Sequence, residues 1–580
     1  MTIMHTRFAP HFLSAALLCA SSTLLAQPAP DYNIGDAMRD AQVPRTLPAP
    51  AQQQAAPVID EQAIDTPLPE GEGQTVAIKD FRVEGVEALT QDFLTREDVR
   101  AEVDAQFAAF RGRDLTMDDL NQAANRITVL ARSKGYLVAR AYVPKQAVQA
   151  QDGVLVIRLQ VGEYGQFEMD NHSHVRDSLL QAIFERSKHP SPLVHRDTLE
   201  RPMLLIHDLP GAQMPLVSIA AGKAPGTSDF VIKTETGPRV QGYAMADNYG
   251  SRFTGKNRAS LGVDVNNPFG IGDRLSASGM TSKSAGLQSG RLAYGFPLNA
   301  NGLRGELAAS RTTYKLGDEY ADLDATGTAT AVDGTLSYPL KRTREDSIYL
   351  SANVAHKRLK DEYFGGTTTL SKEASVLTLA ARREVWGSLF GLGSYVSVNG
   401  SATVGRLTFK DAVQEAQNRA GANSVGTYSK LNLSATLNLA LNAKWALTTS
   451  LQVQQALGKN LDGSEQISAS GSGAIKAYPD GVSGDSGFVA NAEVSYALPR
   501  LRERVDHRVG LFADYGEVRP HNGSYANLRA VNISDVGLSY TLSDKTFFGR
   551  LQIARTTGDK TETERNNHET QIHANFGLRF

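Results

Sequence analysis

The chain has 580 residues, with 60 basic and 62 acidic side chains and a net charge of −2. That length calls for several domains, and the balanced charge leaves no electrostatic footprint for nucleic acid. Mean hydropathy is −0.29, yet 41% of residues are hydrophobic. Such a mixture suits a globular protein or a membrane barrel whose strands alternate apolar and polar residues.

Residues 1–26 read as a secretory signal peptide. His5 and Arg7 supply a weakly basic start, an apolar run covers 12–20, and small residues follow up to a cleavage site after Ala26. Leu24, three residues before that cut, is larger than usual there. The run is too short for a membrane anchor, and after Ala20 no apolar stretch reaches about 18 residues, so any membrane passage must use strands. Cys19 is the single cysteine and leaves with the signal. The mature chain then has no disulfide and no thiolate metal site.

Residues 27–75 are rich in Pro, Ala, Gln and acidic side chains and read as a linker. One amphipathic helix over 31–43 interrupts it, with Ile34, Ala37, Met38 and Ala41 at i, i+3, i+4 and i+7. So short a helix is marginal alone in water and needs a surface to dock on; the pattern leaves open a membrane surface as that place.

Residues 76–163 form a small α/β unit in the order β-α-α-β-β. A strand at 81–83 precedes a helix capped by Thr95 and Asp98 and lined by Val99, Val103, Phe107 and Phe110. Thr116 and Asp119 cap a second helix that buries Leu120, Ala124, Ile127 and Leu130, and Gly135 stops it. Strands follow at 138–143 and 154–161. Residues 164–238 repeat the plan more loosely. Leu179, Leu180, Ile183 and Phe184 mark one helix, Leu199, Met203 and Ile206 another, and Val217, Ile219, Phe230 and Ile232 mark two strands.

From 239 to 580 helical periodicity fades. About sixteen alternating segments appear, roughly 21 residues apart, which is the spacing of a transmembrane barrel. Ala259-Ser260-Leu261-Gly262-Val263 and Val509-Gly510-Leu511-Phe512-Ala513 are examples. The last segment alternates to its end: Ile572, Ala574, Phe576, Leu578 and Phe580 on one face, His573, Asn575, Gly577 and Arg579 on the other. A soluble sandwich or propeller has no need of such an end, whereas a barrel must pair its last strand with its first. The expected fold class is membrane all-β: a barrel of about sixteen strands behind two small α/β domains.

Two apparent sites are weak. Gly250-Ser251-Arg252-Phe253-Thr254-Gly255-Lys256-Asn257 nearly spells a phosphate loop, but Asn257 stands where Ser or Thr would hold magnesium, and alternating strands flank it. His172 and His174 lack a third ligand nearby. With no nucleophile–base constellation in view, the expectation is no enzyme, no catalytic residue, no cofactor and no metal.

The order of signal, helix, linker, two modules and barrel resembles the TpsB transporters of two-partner secretion, the FhaC/ShlB/HecB type within the BamA superfamily. The local matches are Gly135-Tyr136 leading into Ala141-Tyr142-Val143-Pro144, the Val161-Gly162-Glu163-Tyr164-Gly165 junction, and Asp247-Asn248-Tyr249-Gly250 in the first barrel strand with Asn267-Pro268 downstream. The resemblance implies that the modules are POTRA domains. It also implies that a long loop, 458–487, Gly/Ser-rich from Leu461 to Gly487, folds back into the barrel. The family's Val-Arg-Gly-Tyr loop signature aligns with Ile475, Lys476, Ala477 and Tyr478, and its inner-wall motif with Phe512, Asp514 and Gly516. Strand parity independently sets Phe512 and Asp514 opposite Leu511, Ala513 and Tyr515. Lys476 departs from the family's Arg, and lysine meets a carboxylate as a point charge without the two-pronged fork. The loop is therefore expected to be held more weakly or by other residues.

The resemblance implies an outer-membrane transporter with its N-terminal domains in the periplasm. An unfolded partner would add a strand to a POTRA edge and leave through the barrel without ATP, drawn by folding outside. The partner would be a large secreted β-helical exoprotein, a TpsA-like adhesin or cytolysin. Ile34, Met38 and Ala41 would belong to a plug helix. Phe576, Leu578 and Phe580 would form the C-terminal signal read by the barrel-assembly machinery. Outer-membrane lipids would surround a monomer. A BamA-type assembly factor and a passive porin or receptor are the alternatives.

Overall fold

The computed structural model describes residues 32–41, 59–60, 75–90, 96–111, 114–146, 152–189, 191–478, 481–558 and 569–580. The signal peptide, most of the linker and the Thr95 cap lie outside the described residues.

Helix α1 (Ile34–Asp40) is shorter than the 31–43 periodicity suggests. Asn33 ends it because its side chain accepts the Gly35 N–H at 2.7 Å, while Asp36 accepts the Asn33 N–H at 2.9 Å. This reciprocal cap spends the early N–H groups before Tyr32 can join the helix.

In the first module the strand Asp80–Glu84 runs parallel to Val154–Gln160, which pairs antiparallel with Arg140–Tyr142. Helices α2 (Arg96–Gln106) and α3 (Met117–Ser133) cover the sheet. Phe81 stacks on Phe107 at 4.3 Å. The Thr116 hydroxyl accepts the Asp119 N–H at 3.1 Å, and Asp119 accepts the Thr116 N–H at 2.9 Å. The expected strand at 138–143 shrinks to Arg140–Tyr142 because Leu137 and Val138 are buried in the core of the second module.

That second module places Glu163–Asn171 parallel to Thr227–Thr234, with Leu216–Ala221 antiparallel beside it. Helices α4 (Asp177–Glu185) and α5 (Arg196–His207) pack on the sheet. The linker is not wholly unstructured: Ile59–Asp60 pairs in parallel with Val217 and Ser218, adding an edge strand.

Sixteen strands close a barrel. They are β1 Val240–Asp247, β2 Arg258–Asn266, β3 Arg274–Ser282, β4 Leu287–Pro297, β5 Arg304–Lys315, β6 Thr326–Arg342, β7 Asp346–Tyr363 and β8 Thr368–Leu389. They continue as β9 Leu392–Phe409, β10 Gly426–Ala440, β11 Trp445–Leu457, β12 Ser486–Ala497, β13 Asp506–Arg519, β14 Val531–Ser543, β15 Phe547–Thr556 and β16 Thr570–Arg579. Alternation decides the faces: Leu261, Leu307, Val354, Leu377, Leu511, Leu538 and Ile572 are exposed outward to lipid, and their neighbours point into the lumen. The seam pairs Tyr243–Asp247 with Asn575–Arg579. β1 stops at Asp247, so Asn248 is not in the first strand as the motif suggests. Its side-chain amide continues the ladder instead, donating to Ile572 O at 2.8 Å and accepting the Ala574 N–H at 2.8 Å.

The second module grips one rim. Asp208 takes a two-pronged contact from Arg342 at 2.8 Å for each prong. Arg201 donates to Pro339 O at 2.8 Å, and Glu200 accepts the Arg344 N–H at 3.1 Å. Burial raises the Glu200 carboxyl above its ordinary range. Asn267 closes against Gly211, where an added Cβ would lie 2.7 Å from the Asn267 Cβ.

Candidate functional site: the lumen, its loop and its helix

The connection after β11 folds into the lumen. Ile475, Ala477 and Tyr478 are buried together with Phe512, Val489, Val518 and Ile533. Lys476 Nζ lies 2.5 Å from Asp514 Oδ2 and 4.5 Å from the centre of the Phe512 ring. Gly516 faces the loop, where an added Cβ would lie 3.2 Å from Phe488 O and in ordinary contact with the tip of Ile475 at 3.4 Å. The two sequence motifs, Ile475 to Tyr478 and Phe512 to Gly516, therefore meet.

Three residues that hold the loop were not legible from those motifs. Asp535 accepts the Ala477 N–H at 2.5 Å. Asn491 donates to Ala474 O at 2.9 Å and to Asp514 Oδ1 at 2.8 Å. His573 Nε2 donates to Lys476 O at 2.7 Å. The register brings Asn491, Asp514 and Asp535 abreast on three neighbouring strands. Parity offered a signal, since Asp535 alternates with the outward Ser534, Val536 and Leu538. A guanidinium fork would engage both oxygens of a carboxylate. Here the lysine takes one oxygen of Asp514, and backbone and amide donors hold the loop around it.

A second set of ion pairs holds the base of the loop. Lys372 Nζ is 2.6 Å from Asp462 Oδ2. Lys357 and Lys430 reach the two oxygens of Glu465 at 2.7 and 3.0 Å. Buried carboxylates need such partners, because an uncompensated charge there costs several kcal/mol, about 3–5 when one partner is removed.

Helix α1 rests on this turn. Ile34 and Ala37 are fully buried, with Met38 and Ala41 partly buried beside Phe253, Tyr314 and Leu359. The Ile34 N–H donates to Asp361 at 2.9 Å, and the Tyr314 hydroxyl donates to the same oxygen at 2.7 Å. Arg39 donates to Gly463 O. Gly35 faces the loop so closely that a Cβ would fall 2.4 Å from the Gly463 carbonyl carbon. The near-phosphate loop at 250–257 joins β1 to β2, and its Phe253 meets Tyr32 edge-on at 6.1 Å. His172 pairs with Asp170 at 3.0 Å. Phe576, Leu578 and Phe580 stand outward on or just past β16, each more than half exposed.

A barrel whose rim holds the second of two tandem β-α-α-β-β modules, with a helix and a loop inside, is the architecture of a polypeptide-transporting pore. The chain matches the family described as haemolysin secretion/activation protein ShlB/FhaC/HecB over residues 226–540 and the ShlB-type POTRA domain over 76–162. It belongs to that family: an outer-membrane transporter of two-partner secretion, with its POTRA domains in the periplasm. The heme/hemopexin transporter protein HuxB of Haemophilus influenzae (strain 86-028NP) is 25% identical over 438 residues, 75% of this chain and 76% of its own. The outer membrane transporter CdiB-2 of Burkholderia pseudomallei (strain 1026b) is 27% identical over 315 residues, 51% of this chain and 50% of its own. Among solved structures, CdiB from Escherichia coli superposes with a TM-score of 0.67 at 18% identity, covering 98% of each chain. BamA from Haemophilus ducreyi superposes at 0.50 and 14% identity over 87% of this chain and 100% of its own, a likeness of fold alone.

Proposed function

We propose that helix α1 and the 458–487 loop together close the resting pore, and that an arriving unfolded exoprotein displaces the helix. The observation that carries this reading is that α1 sits on the loop turn at Gly463 and on the wall at Asp361. Both elements are held by side-chain packing and short polar contacts inside a wall whose own strands are paired in a closed ring, so either can leave without breaking the barrel. The Lys476–Asp514 pair is the lock of the loop, supported by Asp535, Asn491 and His573. Phe576, Leu578 and Phe580 serve as the barrel's C-terminal assembly signal for the barrel-assembly machinery.

The partner is recognised by strand addition. The edge at Leu216–Ala221 is already taken by Ile59–Asp60, whereas Arg140–Tyr142 lies at the edge of its own sheet. The equivalent antiparallel edge strand is thus open in the first module and covered in the second, which favours the first module as the docking point for a large β-helical exoprotein, adhesin or cytolysin, carried by a monomeric transporter. With no ATP outside the cytoplasm, folding beyond the membrane supplies the driving force.

The test deletes this protein and follows a large exoprotein encoded beside it. Degradation of that exoprotein in the periplasm, with other barrels at normal levels, is the expected result. A general loss of outer-membrane proteins would instead assign the chain to barrel assembly.

A further inference from the structure

The barrel wall is uneven in height. β1, β2 and β3 have 8, 9 and 9 residues, while β6, β7, β8 and β9 have 17, 18, 22 and 18. A tilted strand crosses the apolar layer in about 9–11 residues, so the long strands carry their outward faces past it. The periplasmic modules occupy the other rim, so this extension lies at the level of the outer leaflet's head groups.

The outward side chains change character at one level. Below it stand Leu307, Val332, Val354, Leu377 and Val404, all exposed. Just above it, the register sets Arg311, Thr330, Arg358, Glu373 and Thr408 side by side on β5 to β9. One step nearer the apolar band stand His356, Ser375 and Arg406. Lys360 and Lys410 lie one step farther out. Glu373 is shared by Arg358 at 3.4 Å and Lys410 at 3.0 Å, and Glu362 meets Lys360 at 2.7 Å. Lys315, level with Glu362, pairs with Asp324 at 2.8 Å. Six permanent cations thus face three carboxylates here, an excess of positive charge directly above an apolar wall. The opposite wall has no such cluster: β1 and β2 present Ala246, Ala259 and Leu261 up to their outer ends, and β15 presents the single Arg555 above Leu551 and Ile553.

We propose that this face binds a phosphorylated glycolipid of the outer leaflet, of the lipid A class. Arg311, Arg358, Lys360, Arg406 and Lys410 hold its phosphates, and its acyl chains lie on Leu307, Val354, Leu377 and Val404. Arginine suits phosphate because its planar fork gives two parallel charge-assisted hydrogen bonds. Charged side chains on a lipid-facing surface cost little near the interface, where their long stems still cover apolar surface. The chemistry needed is therefore an anion above and several hydrocarbon chains below. On β7 the residues on either side of Arg358 point inward: Lys357 holds Glu465, and Leu359 packs beside α1.

The full-length protein, extracted from outer membranes in mild detergent, is examined by native mass spectrometry for retained lipid A. It is then placed in nanodiscs containing either lipid A-bearing lipopolysaccharide or phosphatidylglycerol. The triple variant Arg358→Gln, Arg406→Gln, Lys410→Gln is expected to retain about tenfold less lipid A, the factor that about 1.4 kcal/mol of lost affinity gives. Replacing the two arginines by lysine restores most of the retention, and Arg555→Gln on the far wall leaves it unchanged. Heat-modifiable migration on a gel reports that each barrel is folded, and competition between the two lipids on the unaltered protein needs no variant. Undiminished retention in the folded triple variant would overturn the proposal. So would phosphatidylglycerol competing equally well, which marks unspecific attraction, or displacement by millimolar inorganic phosphate alone, which marks a free-anion site.

Discussion

Gly35→Ala probes the seat of helix α1. The new Cβ would lie 2.4 Å from Gly463 C, 2.4 Å from Ser464 N and 2.8 Å from Gly463 O. These are backbone atoms, and the turn that carries them is tied to the wall by Lys372 at 2.6 Å and Lys357 at 2.7 Å. No flexible side chain can swing aside, so the helix must back away. Overpacking of this kind costs about 1–3 kcal/mol. Alanine offsets about 1 kcal/mol by its better helix propensity, which counts only while the helix is formed. The net loss of up to about 2 kcal/mol raises the open population by as much as about 30-fold. Planar-bilayer recording reads this directly, as the fraction of time spent at high conductance. Gly463→Ala is the companion, because its Cβ would meet the movable Asn33 side chain at 2.9 Å and should open the pore less. A Gly35→Ala channel that stays as closed as the unaltered protein, or closes more firmly, would refute the seating of the helix on the loop.

Lys476→Ala removes the cation from Asp514 and should weaken loop attachment by about 3–5 kcal/mol. Hydrogen exchange across 471–478 should speed up while strand β13 stays protected; unaltered exchange would mean that Asp535, Asn491 and His573 suffice. Gly135 has φ +99°, and an added Cβ would strike His195 Nε2 at 2.4 Å. Gly135→Ala, carrying a left-handed backbone cost of roughly 1–2 kcal/mol as well, should change the distance between spin labels on the two modules. An unchanged distance would show that His195 does not set their angle. Burial raises the Glu200 carboxyl from its ordinary 4.5, so the folded state holds the proton more tightly than the unfolded one. Its contribution to docking on the rim is then greatest below pH 4.5 and falls as pH rises through the raised value. Protection at 200–208, taken relative to the intrinsic base-catalysed exchange rate at each pH, should fall with pH over that window in the native protein and stay constant in Glu200→Gln.

Much of this molecule is readable locally. A strand that alternates Ile572, Ala574, Phe576, Leu578 and Phe580 can bury only one face, and its period declares a wall between lipid and lumen. The Thr116–Asp119 cap is likewise legible, because both partners lie within one turn. Parity even turns Asp514 inward without reference to any neighbour.

What lay beyond reach depends on contacts distant in the chain. Asn491, Asp535 and His573 hold the loop only because register sets their strands beside β13 or opposite the loop. Val138 read as the start of a strand, yet with Leu137 it fills the core of the next module. Met38 and Ala41 mark an amphipathic helix, but not whether it lies on a membrane or, as folded, beside Phe253 and Tyr314 within the barrel. Periodicity by itself determined that a barrel, two modules and a helix exist, since each must bury one face of a repeating backbone. Only the tertiary structure decided that Gly35 meets Gly463 and Lys476 meets Asp514, because those pairs are fixed by the closure of sixteen strands and not by anything within a turn of either residue.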